Sequence, residues 1–246
     1  MASAKDIILK PIPSKQAEQL VRQVHYSGKV VQNSQVHIGV FLHGKLEGAM
    51  QFGPSLDKRK VQGLVEGTGW NEFIELNRMA FTDNLPRNSE SRALGVAMRL
   101  LRKHAPHLKW VISFADACQC GDGTIYRASG FVLTGIKQSQ GDIWVLPEHL
   151  KYLSEGGRPC HKIAIQCKTS KIAHWVVAKY QNHNIPLRRL AQDNGGHVVS
   201  GHQLRYIYFL DKAIRQNLTV AEIPFSRIAE MGVAMYRGKR ATEVGD

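Results

Sequence analysis

The chain has 246 residues, 43% of them hydrophobic, which is enough for one large α/β domain with an appendage. Its 33 Lys and Arg against 20 Asp and Glu give a net charge of +13, which favours a polyanionic partner. No apolar run approaches the roughly 20 residues of a membrane span, and no apolar signal core follows the N-terminus. We therefore expect no membrane partner and a cytoplasmic location.

The first part of the chain predicts strands and a helix. Asp6 to Ile12 predicts a strand, and apolar residues at helical spacing after Ser14 predict a helix that Ser14 caps. Two apolar runs flank a His43-Gly44 step, which readily adopts positive φ and predicts a hairpin. Residues 57–69 are charged and contain several glycines, which is typical of an exposed loop.

The middle of the chain continues this alternation. Residues 73–81 (FIELNRMAF) predict a strand in which Leu76 and Arg78 share one face with Ile74, and Glu75, Asn77 and Met79 share the other. Neither face is purely apolar, and polarity inside a core suggests a function. Residues 88–104 predict a helix, capped by one of its first two residues and ending in a basic turn. Residues 109–116 predict a strand buried on both faces, a short helix follows at 124–129, and 131–136 predict another strand.

After residue 138 the pattern loosens. We predict two short helices, the first capped by Thr169 or Ser170 and the second ended by Gly195 and Gly196. The domain organisation that we expect is a catalytic core at 1–136, a basic accessory insertion at 137–204, a returning core strand at 205–212 and a basic C-terminal tail at 213–246, helical only in part.

Several long motifs carry a family resemblance. They are HYSG at 25–28, GVF and QFGP within 39–54, WNEFIELNRMAF at 70–81, LPRNSESRALGVAMRL at 85–100, SFADACQCGDGTIYRASGF at 113–131 and RYIYFLDK at 205–212. The order of elements resembles the GNAT fold of N-acetyltransferases. That fold is a mixed, mostly antiparallel α/β (α+β) sheet, splayed between its fourth and fifth strands and flanked by helices. At residue level the chain resembles the Mom family of Mu-like bacteriophages.

The resemblance implies an enzyme. It would be a transferase that modifies N6 of adenine in phage DNA with a glycinamide-like (methylcarbamoyl-type) group and so protects the DNA from host restriction enzymes. Two alternatives stay open: an N-acyltransferase for a small-molecule or protein amine, and an inactive DNA-binding protein. No family role is carried into residues 137–204, and the oligomeric state stays open, a dimer included.

The GNAT-like gap between the fourth and fifth strands directs attention to polar residues at those strands. Arg78 is a candidate for holding a phosphate, a carboxylate or a developing oxyanion, or it pairs structurally with Glu75 or Asp83. Asp116 is a candidate base for the weakly nucleophilic N6 amine, or a turn aspartate. Tyr126 occupies the place of an acetyltransferase general acid, or it is a core tyrosine.

The donor-binding turn departs from the acetyltransferase pattern. Acetyltransferases place a glycine-rich turn at this helix start, where backbone N–H groups hold the pyrophosphate of coenzyme A. Here Arg87, Ser89, Ser91 and Arg92 replace the glycines as candidate cofactor-binding residues, while Glu90 opposes an anion. Acetyl-coenzyme A and another acyl donor both remain open.

The resemblance also implies an iron ion. His25, Tyr26 and Asp116 are the predicted metal ligands, because HYSG falls near the mouth of the gap. The alternative is that His25 and Tyr26 are ordinary packing or loop residues.

Double-stranded DNA must present its target adenine flipped out of the helix, because N6 lies within a base pair. Trp70, Tyr206 and Tyr208 are candidates for stacking on a base, or they belong to the core. Basic residues predicted to contact phosphates are Lys58, Arg59, Lys60, Lys168, Lys171, Arg188 and Arg189, with Arg237, Lys239 and Arg240 in the tail.

Overall fold

The structure is a computed structural model that describes residues 2–117 and 123–231. Two compact units make up the chain: Met1–Ile136 with Leu204–Asp246, here the core unit, and Lys137–Gln203, here the inserted unit. Cys118, Cys120 and the predicted DNA contacts of the tail lie outside the described residues. Within the described ranges, no helix combines the length and apolarity that crossing a bilayer requires.

An open mixed sheet forms the centre of the core unit, as the sequence predicts. The strand order there is β1-β2-β3-β4-β5-β8-β6; the first four strands pair antiparallel, and β4 pairs parallel with β5. In the inserted unit β7 pairs antiparallel with the second half of β6. The strands are β1 (Ile8–Pro11), β2 (Val36–Leu42), β3 (Lys45–Gly53), β4 (Phe73–Phe81), β5 (Trp110–Asp116), β6 (Val132–Val145), β7 (Cys160–His161) and β8 (His197–Phe209).

Helices accompany the strands in both units. They are α1 (Ser14–Val24), α2 (Lys58–Gln62), α3 (Ser89–His104), α4 (Thr124–Ala128), α5 (Lys162–Gln166), α6 (Lys171–Tyr180), α7 (Leu187–Asn194) and α8 (Ser226–Glu230). Short 3-10 helices cover Ala4–Asp6, Glu148–Leu153, Glu155–Gly157 and Lys212–Asn217.

The two faces of the core sheet are covered by different helices. Helix α3 buries an apolar stripe that includes Leu94 against Met50 and Phe52 of β3. Helix α1 instead packs on Ala49, whose side chain points to the opposite face because successive strand residues alternate. A fully buried Leu such as Leu94 contributes about 2 kcal/mol, so these two interfaces hold the sheet in place.

Local capping differs from the sequence prediction at both long helices. Helix α1 begins at Ser14, but Pro13 occupies the N-cap position and no side chain caps the helix. At α3 the N-cap is Asn88, which adopts φ 68° and forms no side-chain cap, while Ser89 is already helical and buried. The N-terminus of α3 is therefore left without a side-chain acceptor for its N–H groups.

Three other predicted boundaries were wrong. The predicted loop after Gly53 contains α2, which Asp57 caps by accepting from the Lys60 N–H and which Val61 anchors in the core. Strand β6 runs on to Val145, and β8 begins at His197 because the two long strands continue beyond the apolar segments that predicted them. The described part of the tail packs on the core unit through Ile228.

Candidate active site

A gap opens between β4 and β5 where their ladder ends. The parallel pairing comprises three residue pairs and stops at Glu75 and Ile112. Just beyond this point, Ser113 Oγ lies 2.9 Å from the Tyr126 hydroxyl and 3.4 Å from the Leu76 carbonyl oxygen. The predicted site tyrosine therefore reaches the start of the gap from α4 through Ser113, a residue that sequence reasoning did not single out.

Tyr126 also belongs to the core. Its side chain is only 8% exposed, and its ring stacks on Tyr206 with centroids 5.0 Å apart. The two readings of this residue are thus compatible, because the ring packs in the core while the hydroxyl faces the strand gap. Asp116 ends β5 half-buried, four residues beyond the last β4–β5 pair.

A β-bulge changes the direction of side chains on β4. Gln51 of β3 faces Arg78, but the next residue, Phe52, faces Leu76, so Asn77 is an extra residue. The sequence prediction that Leu76 and Arg78 share a face was wrong for this reason. Leu76 is buried in the α3 cluster, whereas Arg78 reaches the loop that follows α1.

Arg78 joins the loop after α1 to the sheet. Its Nε donates to the Lys29 carbonyl at 2.8 Å, and its Nη1 donates to the Asn77 carbonyl at 2.6 Å. Burial lowers the pKa of the guanidinium, while the nearby Tyr26 and Glu75 raise it. An arginine remains charged under this influence, so a fixed cation stands beside Tyr26 and Glu75.

Glu75 is a candidate functional residue that the sequence prediction treated only as a structural partner. Burial raises the pKa of its carboxyl, and Ser55, Asn77 and Arg78 only partly oppose this. A carboxyl with a raised pKa accepts a proton more readily than an ordinary carboxylate. The signal for Glu75 was the polar, non-alternating pattern of the strand itself.

Buried polar atoms without partners flank this pair. Among the described residues, Gln51 Oε1, Ser55 Oγ and Ser89 Oγ are buried and form no hydrogen bond. Gln51 is the cross-strand neighbour of Arg78, and Ser55 Oγ lies near the Glu75 carboxyl without hydrogen-bond geometry. Unsatisfied buried groups are rare in folded proteins, and two of them near the interacting charges of Glu75 and Arg78 indicate a site suited to a ligand.

A row of polar side chains crosses the same face. His37 of β2 is paired in register with Gln51, and its Nδ1 lies 3.3 Å from Gln51 Nε2. Burial lowers the pKa of His37, although Glu18 and Ser34 oppose the effect. His37, Gln51 and Arg78 therefore form a transverse polar row across three strands, and no periodic pattern in the sequence predicts it.

The predicted metal ligands His25 and Tyr26 are chain neighbours with ring centroids 4.2 Å apart, and Tyr26 lies near the Arg78 guanidinium. His25 Nδ1 lies 2.8 Å from Ser27 Oγ and 3.1 Å from the Ser27 backbone nitrogen, and the tautomer that donates from Nδ1 to Ser27 Oγ leaves Nε2 free to bind a metal. The Arg78 cation beside Tyr26 opposes a second cation at this place. The described ranges contain no group of three His, Cys, Asp or Glu side chains suited to holding an ion.

A basic pocket of about 620 Å³ lies along α3. Of the four predicted cofactor-binding residues, Ser91 and Arg92 line it, whereas Arg87 is exposed elsewhere and Ser89 is buried. Glu90 does not line the pocket. The full lining is Ala4, Asn88, Ser91, Arg92, Gly95, Arg99, Arg102, Ala128, Ser129, Gly130 and Tyr208. Three arginines and an uncapped helix start make this pocket suited to an anionic group.

The predicted DNA contacts divide between the units. In the core unit Arg59 and Lys60 are exposed, and Lys58 places its Nζ 4.6 Å from the centre of the half-exposed Trp70 ring. Tyr206 is fully buried, which supports the alternative that it belongs to the core and does not stack on a base.

In the inserted unit, all four predicted contacts are exposed: Lys168, Lys171, Arg188 and Arg189. Arg189 Nε donates to both carboxylate oxygens of Asp193, at 3.0 and 2.8 Å, so its charge is already compensated.

Two comparisons with known proteins, by family and by individual sequence, identify the same family. The Mom protein family matches residues 6–227. The chain is 32% identical over 216 residues to the methylcarbamoylase Mom of Escherichia phage Mu, covering 87% of this chain and 80% of that protein. Among solved structures, a Bacillus subtilis acetyltransferase in complex with CoA is 10% identical, with a TM-score of 0.40, covering 82% of this chain and 97% of its own. The ribosomal-protein-S18-alanine N-acetyltransferase of Escherichia coli is also 10% identical, with a TM-score of 0.41, covering 83% and 94%.

Proposed function

Because this chain belongs to the Mom protein family, we propose that it is a transferase that modifies adenine in phage DNA. The group added to N6 is of the methylcarbamoyl type, and it protects the DNA from host restriction enzymes. The observation that carries this proposal is the alignment with the methylcarbamoylase of phage Mu, which spans 87% of the chain.

The roles that we propose follow from the groups at the strand gap. The N6 lone pair of adenine is delocalised into the ring, so a base must remove its proton as the new bond forms. Glu75, whose pKa burial raises, supports this role, and Asp116 at the end of β5 is the second candidate base. Arg78 stabilises negative charge that develops on the transferred group, and Tyr126 donates a hydrogen bond from the opposite side of the gap.

The pocket along α3 supports a donor that carries phosphate, and acetyl-coenzyme A is the ligand that we propose to test first for binding. Transfer of its acetyl group alone would give an N6 amide and not the methylcarbamoyl-type product, so no bond-forming step is assigned to it. Arg92 and Arg99 line the pocket next to the uncapped start of α3. Arg102 is tied to the Leu210 carbonyl at 3.0 Å and forms the wall of the pocket. A phosphate here would meet both fixed positive charge and helix N–H groups.

Double-stranded DNA is the proposed partner, with the target adenine flipped towards the gap. The predicted basic contacts of both units support binding to the phosphate backbone, since among them only Arg189 forms an ion pair within the described residues. Iron remains a prediction of the family resemblance, with His25, Tyr26 and Asp116 as the residues that would hold it, and no step is assigned to it.

Metal analysis tests the iron prediction directly. Purified wild type, His25→Ala and Asp116→Ala are compared for bound iron by mass spectrometry. Iron in the wild type and loss of iron in both variants would support the predicted ligand set. Equal iron content in all three proteins would remove His25 and Asp116 as ligands.

Nucleoside analysis tests the function. The chain is expressed in a bacterium, plasmid DNA is digested to nucleosides, and deoxyadenosine is examined by mass spectrometry. We expect a heavier deoxyadenosine with the wild type and none with the Arg78→Ala variant. Unmodified deoxyadenosine together with salt-sensitive DNA binding would favour the inactive DNA-binding protein. Turnover of an acyl donor on an amine panel, with no change in DNA, would favour the N-acyltransferase.

A further inference from the structure

Leu56 is an apolar side chain left almost completely in water. It is 94% exposed, the highest value of any large hydrophobic side chain among residues 2–117 and 123–231. Ile8, the next comparable aliphatic residue of the core unit, is 64% exposed. A lone exposed Leu is ordinary in itself, so its surroundings decide whether it has a use.

The position of Leu56 links it to the candidate site. Its chain neighbour Ser55 is buried, and Ser55 Oγ lies near the Glu75 carboxyl. Glu75 interacts electrostatically with Arg78, and Arg78 interacts electrostatically with Tyr26. Leu56 is therefore adjacent in the chain to Ser55, which lies beside the polar side chains that would receive a flipped adenine.

The turn that carries Leu56 is held in place on its C-terminal side. Asp57 caps α2 by accepting the Lys60 N–H, and Val61 of the same helix is buried in the core. Lys58 donates to Asn71 Oδ1 at 3.3 Å and lies over the Trp70 ring. A side chain on a fixed turn loses little conformational freedom when it inserts into a partner.

Charge around Leu56 specifies the partner. Arg59 and Lys60 follow Leu56 within four residues and are exposed, so this short segment presents an apolar tip with two cations against the single carboxylate of Asp57. Duplex DNA has the complementary arrangement, since negatively charged phosphates flank stacked apolar bases. Proteins that open a base step insert Leu, Ile, Met or Phe in this way, and a base that leaves the stack creates a space that such a side chain fills.

We propose that Leu56 is a wedge that inserts into duplex DNA and fills the space of the flipped adenine. This inference rests on the proposed function, because the wedge is needed only if a base must leave the helix. Arg59 and Lys60 hold the neighbouring phosphates while the leucine occupies the stack. The wedge acts on base extrusion, not on the chemical step.

Substitutions of Leu56 test the wedge through the yield of modified deoxyadenosine in plasmid DNA. Leu56→Ala should lower the yield at least about tenfold, because nothing replaces the flipped base. Leu56→Met, which keeps an apolar tip, should retain most of the yield. Leu56→Lys should bind duplex DNA at least as tightly as the wild type, owing to its extra charge, yet modify it as poorly as Leu56→Ala. Ile8→Ala is the matched control, with an expected yield equal to that of the wild type.

The outcomes separate the wedge from the function. Equal yields from wild type and Leu56→Ala would overturn the wedge and leave the proposed function standing. Modification by Leu56→Lys at the wild-type level would show that Leu56 contributes only to binding, and would also overturn the wedge. Loss of self-association in Leu56→Ala, measured by light scattering, would assign the leucine to a contact between copies instead. If the wild type modifies no adenine, the proposed function fails and the wedge fails with it.

Discussion

Two glutamates on neighbouring strands show how the same side chain is used in opposite ways. Glu47 of β3 is buried, and its carboxylate accepts hydrogen bonds from Thr82 and Asn84 and pairs with Lys45 at 3.1 Å. These partners lower the pKa of Glu47, with Thr82 the largest influence. Glu75 of β4 has too few partners to compensate its burial, which raises its pKa.

The difference separates a structural carboxylate from a candidate catalytic one. A buried charge that is fully hydrogen-bonded stabilises the fold and has no capacity left for a substrate. A carboxyl that burial keeps poorly satisfied costs stability, and such groups concentrate at functional sites. Gln51 Oε1 and Ser55 Oγ, which are buried and form no hydrogen bond, belong to the surroundings of Glu75 and Arg78.

The largest effect that we expect is loss of DNA modification when Glu75 is changed. Glu75→Gln keeps the shape of the side chain but removes the proton acceptor, so the yield of modified deoxyadenosine should fall about 100-fold or more. Glu47→Gln is the matched control, because it makes the same chemical change on the neighbouring strand and should retain the yield per folded molecule. An active Glu75→Gln variant would transfer the role of base to Asp116.

Stability should respond to the two glutamates in the opposite order. Glu47→Gln should destabilise the fold by about 2 kcal/mol at neutral pH, since charge-assisted hydrogen bonds are lost. Glu75→Gln should leave stability at neutral pH unchanged or increased, because an incompletely compensated buried charge is removed. Urea unfolding of both variants measures the difference.

The contributions of Glu47 and Glu75 to stability should change with pH in opposite directions. The pKa of Glu47 is lowered in the fold, so its stabilising contribution is present above the ordinary value of 4.5 and is lost as the pH falls through the lowered value. The pKa of Glu75 is raised, so its contribution is complete below 4.5 and is lost as the pH rises through the raised value. The deficit of Glu47→Gln should therefore shrink in acid, whereas any gain of Glu75→Gln should grow with pH.

How far the sequence predicts this molecule depends on whether local pattern or strand pairing decides each feature. Helix α3 and strand β5 follow from apolar spacing alone, and both occur where the pattern places them. The direction of the Arg78 side chain does not follow from apolar spacing. The extra residue, Asn77, is defined by the register of β4 with β3, which the pattern of β4 alone does not predict. The burial of Glu75, which gives it a raised pKa, is likewise a property of the assembled sheet.

The arginine pocket should show a smaller effect than Glu75. Arg92→Ala removes one positive charge from the pocket and should weaken binding of acetyl-coenzyme A about tenfold, measured by calorimetry, without affecting stability. Lys103→Ala is the matched control, because Lys103 lies exposed on the same helix but does not line the pocket. Equal affinities for wild type and Arg92→Ala would place the donor elsewhere or indicate a different donor.

The smallest effect that we expect is on the salt dependence of DNA binding, when one of two adjacent arginines of α7 is changed. Like the two glutamates, these arginines differ in whether a partner compensates their charge. Arg189 is compensated by Asp193, whereas no ion pair of Arg188 is found within the described part of the chain. If the inserted unit contacts phosphates, Arg188→Ala should lower the slope of log affinity against log salt by about 1, as expected for one lost phosphate contact. Arg189→Ala should change the slope less, because Asp193 already competes for its charge. Equal slopes for both variants and the wild type would remove α7 from the DNA interface, while equal losses would show that Asp193 releases Arg189 when DNA binds.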